Sequence, residues 1–181
     1  PKFPSDGLIV SLAAAVPTVV MEEALARPLP LLRMIPNTPS LIGQGMNPYC
    51  LGKYVRDEHV PFIEGLLATF GETLRVDESL MEVATAVTAV GPTYVFPIIK
   101  AMADTAARLG LPDEQARFAA ARTVAGAAEL VAATGKDPDF LKMMISTRTL
   151  DEAGAQALFS AAVESAYQKV SSAQKKLAAS G

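Results

Sequence analysis

The chain has 181 residues, half of them hydrophobic, with a net charge of −3, one His, one Cys and no Trp. Both charge signs are spread along it without a basic run, and aromatics make up only 6%, which argues against a nucleic-acid surface. One cysteine cannot close an internal disulfide, and no uninterrupted apolar run reaches the ~20 residues that span a bilayer, so the expectation is a soluble, cytoplasmic protein with no nucleic-acid or membrane partner.

Up to Val76, strand-like and helix-like segments alternate, as in an α/β layer. Residues 8–12, Leu-Ile-Val-Ser-Leu, predict a buried strand. Such a strand needs neighbours for its backbone groups, and the chain opens on Pro1, so partner strands are expected upstream. Pro17 suits the first position of a helix through Met21, Glu22 and Leu25, with Pro28 and Pro30 ending it. Residues 31–35 predict a second buried strand, and Pro36-Asn37-Thr38-Pro39 a rigid turn. Gly43 and Gly45 flank a loop into a strand near residues 46–50. A helix over 57–70 places Val60, Ile63, Leu67 and Phe70 on one face, stops at Gly71, and leads into a last strand over 72–76.

After Asp77 Ala-rich helical periodicity takes over. A helix over 78–87 is interrupted by Gly91-Pro92, and a second runs through Tyr94, Ile98, Met102 and Ala106. Gly110 and Pro112 punctuate its end, and Asp113 is the expected N-cap of the next helix. There Phe118, Ala121, Val124, Ala125, Ala128 and Val131 form one apolar face, closed by Gly135. A short helix over 139–145 and a long one over 150–177 follow. Small side chains allow close helix approach, and an Ala-rich face needs a large partner surface. A monomeric bundle and an intertwined dimer both meet that need.

Independent catalytic signatures are scarce. No His/Cys/Asp group has metal spacing. His59, among Arg56, Asp57 and Glu58, reads as exposed and inert, and Cys50 as a small core residue. There is no GxGxxG or GxxxxGK[ST] loop. Chemistry alone does not name a reaction.

The motifs in order are more specific. Leu8-Ile9-Val10-Ser11-Leu12-Ala13-Ala14-Ala15-Val16-Pro17 precedes Arg33-Met34-Ile35-Pro36-Asn37-Thr38-Pro39. Later come Val87-Thr88-Ala89-Val90-Gly91-Pro92-Thr93-Tyr94-Val95-Phe96, Arg108-Leu109-Gly110-Leu111-Pro112 and Thr134-Gly135-Lys136-Asp137-Pro138. Over essentially its whole length the chain resembles the pyrroline-5-carboxylate reductase family.

The resemblance implies an α/β remnant of a Rossmann-like dinucleotide-binding domain over 1–76, entered past its Gly-rich turn. An all-α dimerisation and substrate domain over 77–181 follows, mostly helical overall, in homodimers that assemble further, up to decamers. It implies hydride transfer from NADPH or NADH to a cyclic imine carboxylate, giving proline, with no metal. The protein aligns the reactants and excludes water. It implies cofactor-binding roles for Leu12, Ala13 and Ala14 at a strand end, where small residues allow close approach, and for Asn37 and Thr38. Substrate-binding roles fall to Glu78, Thr88, Ser146 and Thr147. Six of these have a purely structural alternative: a tight turn for Leu12, Ala13 and Ala14, turn formation for Asn37 and Thr38, and a first-turn helix carboxylate for Glu78.

Departures from the family are as informative. Thr88-Ala89-Val90-Gly91-Pro92 stands where the family has a Ser-Gly-Ser-Gly-Pro-like stretch, so one hydroxyl is kept and one becomes Val90. Met143-Met144 follows Leu141-Lys142 where the family has an Asp and often Asn or Met. Ser146 runs directly into Thr147, roughly nine or ten residues short of the family at its Ser-Pro-Gly-Gly-Thr-Thr ligand loop. Either that segment is left out of the sequence, the favoured explanation, or the deletion is real and the chain is a non-catalytic helical dimerisation module. A third class, a hydroxy-acid dehydrogenase-like two-domain reductase, needs an acid/base from Lys100, Lys136 or Lys142. The 181 residues alone are expected not to turn over.

Overall fold

A computed structural model describes residues 7–178. The chain divides into two compact units, one running to Pro92 and taking in the chain from Ser160 onward, the other Thr93–Phe159.

In the first unit, β1 (Ile9–Ser11), β2 (Leu31–Met34), β3 (Gly45–Leu51) and β4 (Gly71–Arg75) form one sheet in that order. β1 is parallel to β2, with Ser11 opposite Arg33; β2 is antiparallel to β3, with Arg33 opposite Cys50; β3 is parallel to β4, with Gly45 opposite Gly71. β1 is an edge strand, unpaired on its outer side among the described residues. Every residue of β2 is fully buried, because both faces of the sheet are covered there. On one face Leu32, Met34 and Tyr49 pack with Ile63 and Leu67 of α2 (Val60–Leu67). On the other, Ile35 and Cys50 pack with Met81, the first residue of α3 (Met81–Thr88). Each fully buried Leu, Ile or Met contributes about 1.5–3 kcal/mol.

Local chemistry sets the element ends, and several differ from expectation. Pro17 is the N-cap of α1 (Thr18–Leu25), not its first residue: its ψ is an extended 153°, and its carbonyl accepts the first helical bond, from Met21 at 3.2 Å. α1 stops before the prolines, at Ala26, whose left-handed φ of 51° turns its N–H onto Glu23. The proline turn continues into a 3-10 turn, Thr38–Ile42, with Asn37 at its N-cap. The helix over 57–70 is α2 bracketed by 3-10 turns Asp57–His59 and Ala68–Phe70. His59 is not exposed; its side chain is 22% accessible and its Nδ1 accepts the Arg56 N–H at 2.9 Å, a helix-opening cap. Gly71 has φ 117°, and a Cβ there would lie 2.5 Å from the Gly45 nitrogen, so only glycine fits this start of β4.

α3 ends at the expected break, where a Cβ on Gly91 would sit 2.2 Å from the Val87 carbonyl oxygen. The stretch Glu78–Arg108 contains 18 residues of mean hydropathy 1.3 and is by length and composition alone apolar enough to cross a bilayer. It is no uninterrupted run, since Glu82, Lys100 and Asp104 lie in it, and α3 buries much of its length in the first unit.

The second unit holds α4 (Pro92–Arg108) from Thr93, then α5 (Asp113–Thr134), α6 (Pro138–Lys142) and the start of α7 (Glu152–Ala178). Asp113 is the first residue of α5 and Pro112, at ψ 139°, the N-cap; a carboxylate in the first turn is still favoured by the helix dipole. α6 is shorter than expected because the N–H groups of residues 143–145 make i→i−3 bonds, to Phe140, Leu141 and Lys142, which tighten the chain out of the α-helix. Asp151 starts α7 by accepting the Gly154 N–H at 3.1 Å. This unit buries little: the small Ala103, Ala116 and Ala120 and, among its large apolar residues, Leu141. The expected apolar face of α5 is only partly covered within the chain: Phe118 is 69% exposed and Ala121 and Ala128 are exposed, while Val124, Ala125 and Val131 are half-buried; Phe96, Leu130 and Phe140 elsewhere in the unit are exposed too.

Candidate functional site

The site begins with an oddity of β2, a charge in the middle of a strand buried on both faces. Arg33 is fully buried. Its place opposite Ser11 on one side and Cys50 on the other brings three elements to one point. Its Nη2 donates to the Ala14 carbonyl at 2.5 Å and its Nε to the Ala13 carbonyl at 3.4 Å. Its Nη1 pairs with Oε1 of Glu78. Glu78 lies in the 3-10 turn Glu78–Leu80 that opens into α3. It also accepts the Thr18 hydroxyl at 2.7 Å, the Thr18 N–H at 3.4 Å and the Cys50 thiol at 3.0 Å. The structure thus joins Ala13, Ala14 and Glu78, three of the expected site residues, through Arg33, Thr18 and Cys50, for which no role was expected. A lone Arg inside Leu-Leu-Arg-Met-Ile was the available signal, since a buried guanidinium must find partners.

Burial pushes the Glu78 carboxyl up, but hydrogen bonds from Cys50 and Thr18 and the Arg33 charge outweigh it and hold the pKa below the ordinary 4.5. Burial first, then the bond to Glu78, pushes the Cys50 thiol far above the ordinary range, so Cys50 is a neutral donor and not a nucleophile. The lowered carboxyl has a pH consequence. Glu78's contribution to stability is complete above its unfolded pKa and is lost as pH falls through its folded one. Urea titrations from neutral pH to below 4.5 should show Glu78→Gln losing less stability on acidification than the unaltered protein; parallel acid limbs would refute this.

The other expected residues of the first unit form a second group. The Asn37 Nδ2 donates to the Thr88 carbonyl at 3.1 Å, and its Oδ1 accepts the Met46 N–H at 3.3 Å. Thr88 is buried and its hydroxyl donates to the Ala84 carbonyl at 2.8 Å, leaving only acceptor capacity free. Thr38 is exposed beside a small pocket lined by Pro36, Asn37, Leu41 and Phe70. Beneath lies the fully buried Asn47, also without an expected role. Its Oδ1 accepts from Ser40 at 2.8 Å and from the Asn37 N–H at 3.4 Å, and its Nδ2 donates to the Phe70 and Glu72 carbonyls.

In the second unit Ser146 and Thr147 are exposed on the loop between α6 and α7. Lys142 clasps that loop, pairing with Asp139 at 2.7 Å and with Glu152. Those hydrogen bonds, to Asp139 first, raise its pKa. The acid/base candidates of the third class are therefore engaged: Lys142 here, Lys100 with Asp104 at 2.7 Å, and Lys136 over the Phe140 ring at 5.0 Å.

A groove of about 630 Å³ runs along β1, lined by Val10, Leu12, Ala13, Met21 and Leu25, and Leu12 is 57% exposed. The groove's lining is mainly apolar, with the small Ala13 and open backbone at the carboxyl end of a parallel strand, the place where open α/β sheets receive dinucleotides. Nothing among the described residues forms a phosphate loop. Among the described residues no His/Cys/Asp/Glu group could hold a metal.

Residues 78–179 match the family model described as pyrroline-5-carboxylate reductase dimerisation. The chain is 34% identical to the pyrroline-5-carboxylate reductase of Corynebacterium melassecola, over 86% of this chain and 61% of that protein. It is 33% identical to that of Methanosarcina acetivorans, over 97% of this chain and 68% of that one. The latter alignment runs over 184 positions, more than the 181 residues of the chain, so the relative has residues within the aligned region that this chain lacks. Among solved structures, Plasmodium falciparum pyrroline carboxylate reductase with NADP bound superposes with a TM-score of 0.79 at 25% identity, over 92% of this chain and 71% of that one. The chain spans about six tenths of the Corynebacterium relative's length.

Proposed function

Since the chain belongs to the pyrroline-5-carboxylate reductase family, we propose that its protein reduces 1-pyrroline-5-carboxylate to proline with NADPH or NADH in the cytoplasm. The observation that carries this reading is the match along 97% of the chain to a reductase of that name. The superposition on a structure holding NADP supports the cofactor class. A bound nicotinamide supplies a hydride to the C=N carbon. This chain's residues do the rest. Leu12, Ala13 and Ala14 present a close-packing strand end, and Asn37 and Thr38 the adjoining turn. Ser146 and Thr147 supply hydroxyls for the substrate's carboxylate. Thr88, whose hydroxyl donates to the Ala84 carbonyl, has only an acceptor to offer the substrate, and Glu78 is the acidic residue of the substrate side. The division is a dinucleotide-binding part over 1–76 and a helical dimerisation part over 77–181. The uncovered apolar helices are covered by a second copy, in a homodimer that assembles further.

One observation favours a second reading. The chain is shorter than its relative within the aligned region, and Val90 replaces a hydroxyl, as in a helical dimerisation module that keeps the fold without turnover. The deciding experiment is NADPH oxidation by the full-length gene product with pyrroline-5-carboxylate, followed by product identification. Stoichiometric proline formation is expected. NADPH binding without turnover would favour the module.

A further inference from the structure

Glu78 has no lone pair left for a substrate. An ionised carboxylate offers about four acceptor sites, and four donors occupy them: the Arg33 guanidinium and Thr18 N–H on Oε1, and the Thr18 hydroxyl and Cys50 thiol on Oε2. These bonds lead to the connection between β1 and α1. The β1–β2 pairing ends at Ser11 opposite Arg33, so the sheet holds neither Ala13 nor Ala14. Their carbonyls are held instead by Arg33, and the Ala13 N–H by the Ser11 hydroxyl at 3.3 Å. At the far end of the same turn, both polar groups of Thr18 are held by Glu78. One ion pair therefore pins the turn at both ends: Arg33 grips its entry, Glu78 its exit into α1, and each orients the other.

We propose that Glu78 and Arg33 are positioning residues that clamp the turn after β1 in the shape the nicotinamide end of the cofactor requires, and that Glu78 does not touch the substrate. The proposal rests on the reductase reading and revises one residue of it. It links the first turn of the helical region to the cofactor-facing strand end. Glu78→Gln keeps the side chain's size and its acceptor for Thr18 but removes the charge facing Arg33. Arg33→Lys keeps the charge opposite Glu78 but cannot span to both alanine carbonyls.

The test uses the full-length protein with either substitution and two readouts. The first is NADPH dissociation constant against the Michaelis constant for pyrroline-5-carboxylate. Losing a charge-assisted clamp should weaken NADPH binding by about tenfold and leave the imine acid within about twofold. The second is amide hydrogen exchange over residues 12–16, which should quicken by about tenfold or more while β3 stays protected. A rise in the imine acid's Michaelis constant with NADPH binding unchanged would overturn the proposal and return Glu78 to the substrate. Unchanged exchange over 12–16 would overturn it as well. If the unaltered protein takes up no NADPH, the reductase reading falls, and the exchange data still decide whether the clamp exists.

Discussion

Replacing Arg33 by methionine should lower folding stability by about 3 kcal/mol, at the low end of the range for breaking a buried ion pair. Arg33 is fully buried, so its guanidinium has no water to fall back on. Methionine restores most of the volume and none of the donors, leaving the Ala14 carbonyl without its Arg33 donor, at a cost of about 1–3 kcal/mol, and the Ala13 carbonyl with only the Val16 N–H at 3.5 Å. The loss stays near the low end because the Glu78 side chain is 32% exposed and keeps its Thr18 and Cys50 donors. Adding Glu78→Gln to Arg33→Met should cost less than the two single losses summed, since the second substitution removes a charge already stranded. With no Trp in the chain, far-UV circular dichroism in urea is the suitable probe. Protein concentration must be held fixed, because the proposed self-association would contribute to apparent stability. Additive losses would mean that the two side chains do not work as a pair.

Phe118→Glu should turn the protein toward monomer, weakening self-association by about a hundredfold or more, as loss of a central aromatic anchor does. Phe118 is 69% exposed in a single chain and lies on the apolar face of α5 that a second copy is proposed to cover. A carboxylate placed there would lose its water on association without gaining a partner. Glutamate is at least as good a helix former as phenylalanine, so α5 itself should persist. Sedimentation equilibrium gives the constant, and circular dichroism at matched concentration checks helicity. An unaltered dimer would move the interface off this face of α5.

Much of the architecture is legible in the residues themselves. The 3.6-residue recurrence in residues 113–134, the Gly91-Pro92 break and the Gly135 stop are local signals, and α4 and α5 form between them. The four strands are where apolar runs and turn residues place them. Ends were less legible wherever two residues could serve as cap. Pro112 and Asp113 both suit a helix start, and backbone ψ chose between them. Ala26 was silent because nothing in an alanine announces a left-handed φ. Asn37 reads as a turn residue, and it is one, but its amide also ties the turn to Thr88, 51 positions on.

The residues alone determined the element types, their order, the change to helix after Asp77 and the family, because periodicity, breakers and motif spacing are properties of neighbours along the chain. Only the tertiary structure decided the sheet order, the antiparallel fit of β2 against β3, and the joining of Arg33 to Ala13, Ala14, Cys50 and Glu78. A strand buried on both faces carries no alternation to mark which way a side chain points. The partner of a buried charge is set by strand register, across a separation of 45 positions for Arg33 and Glu78.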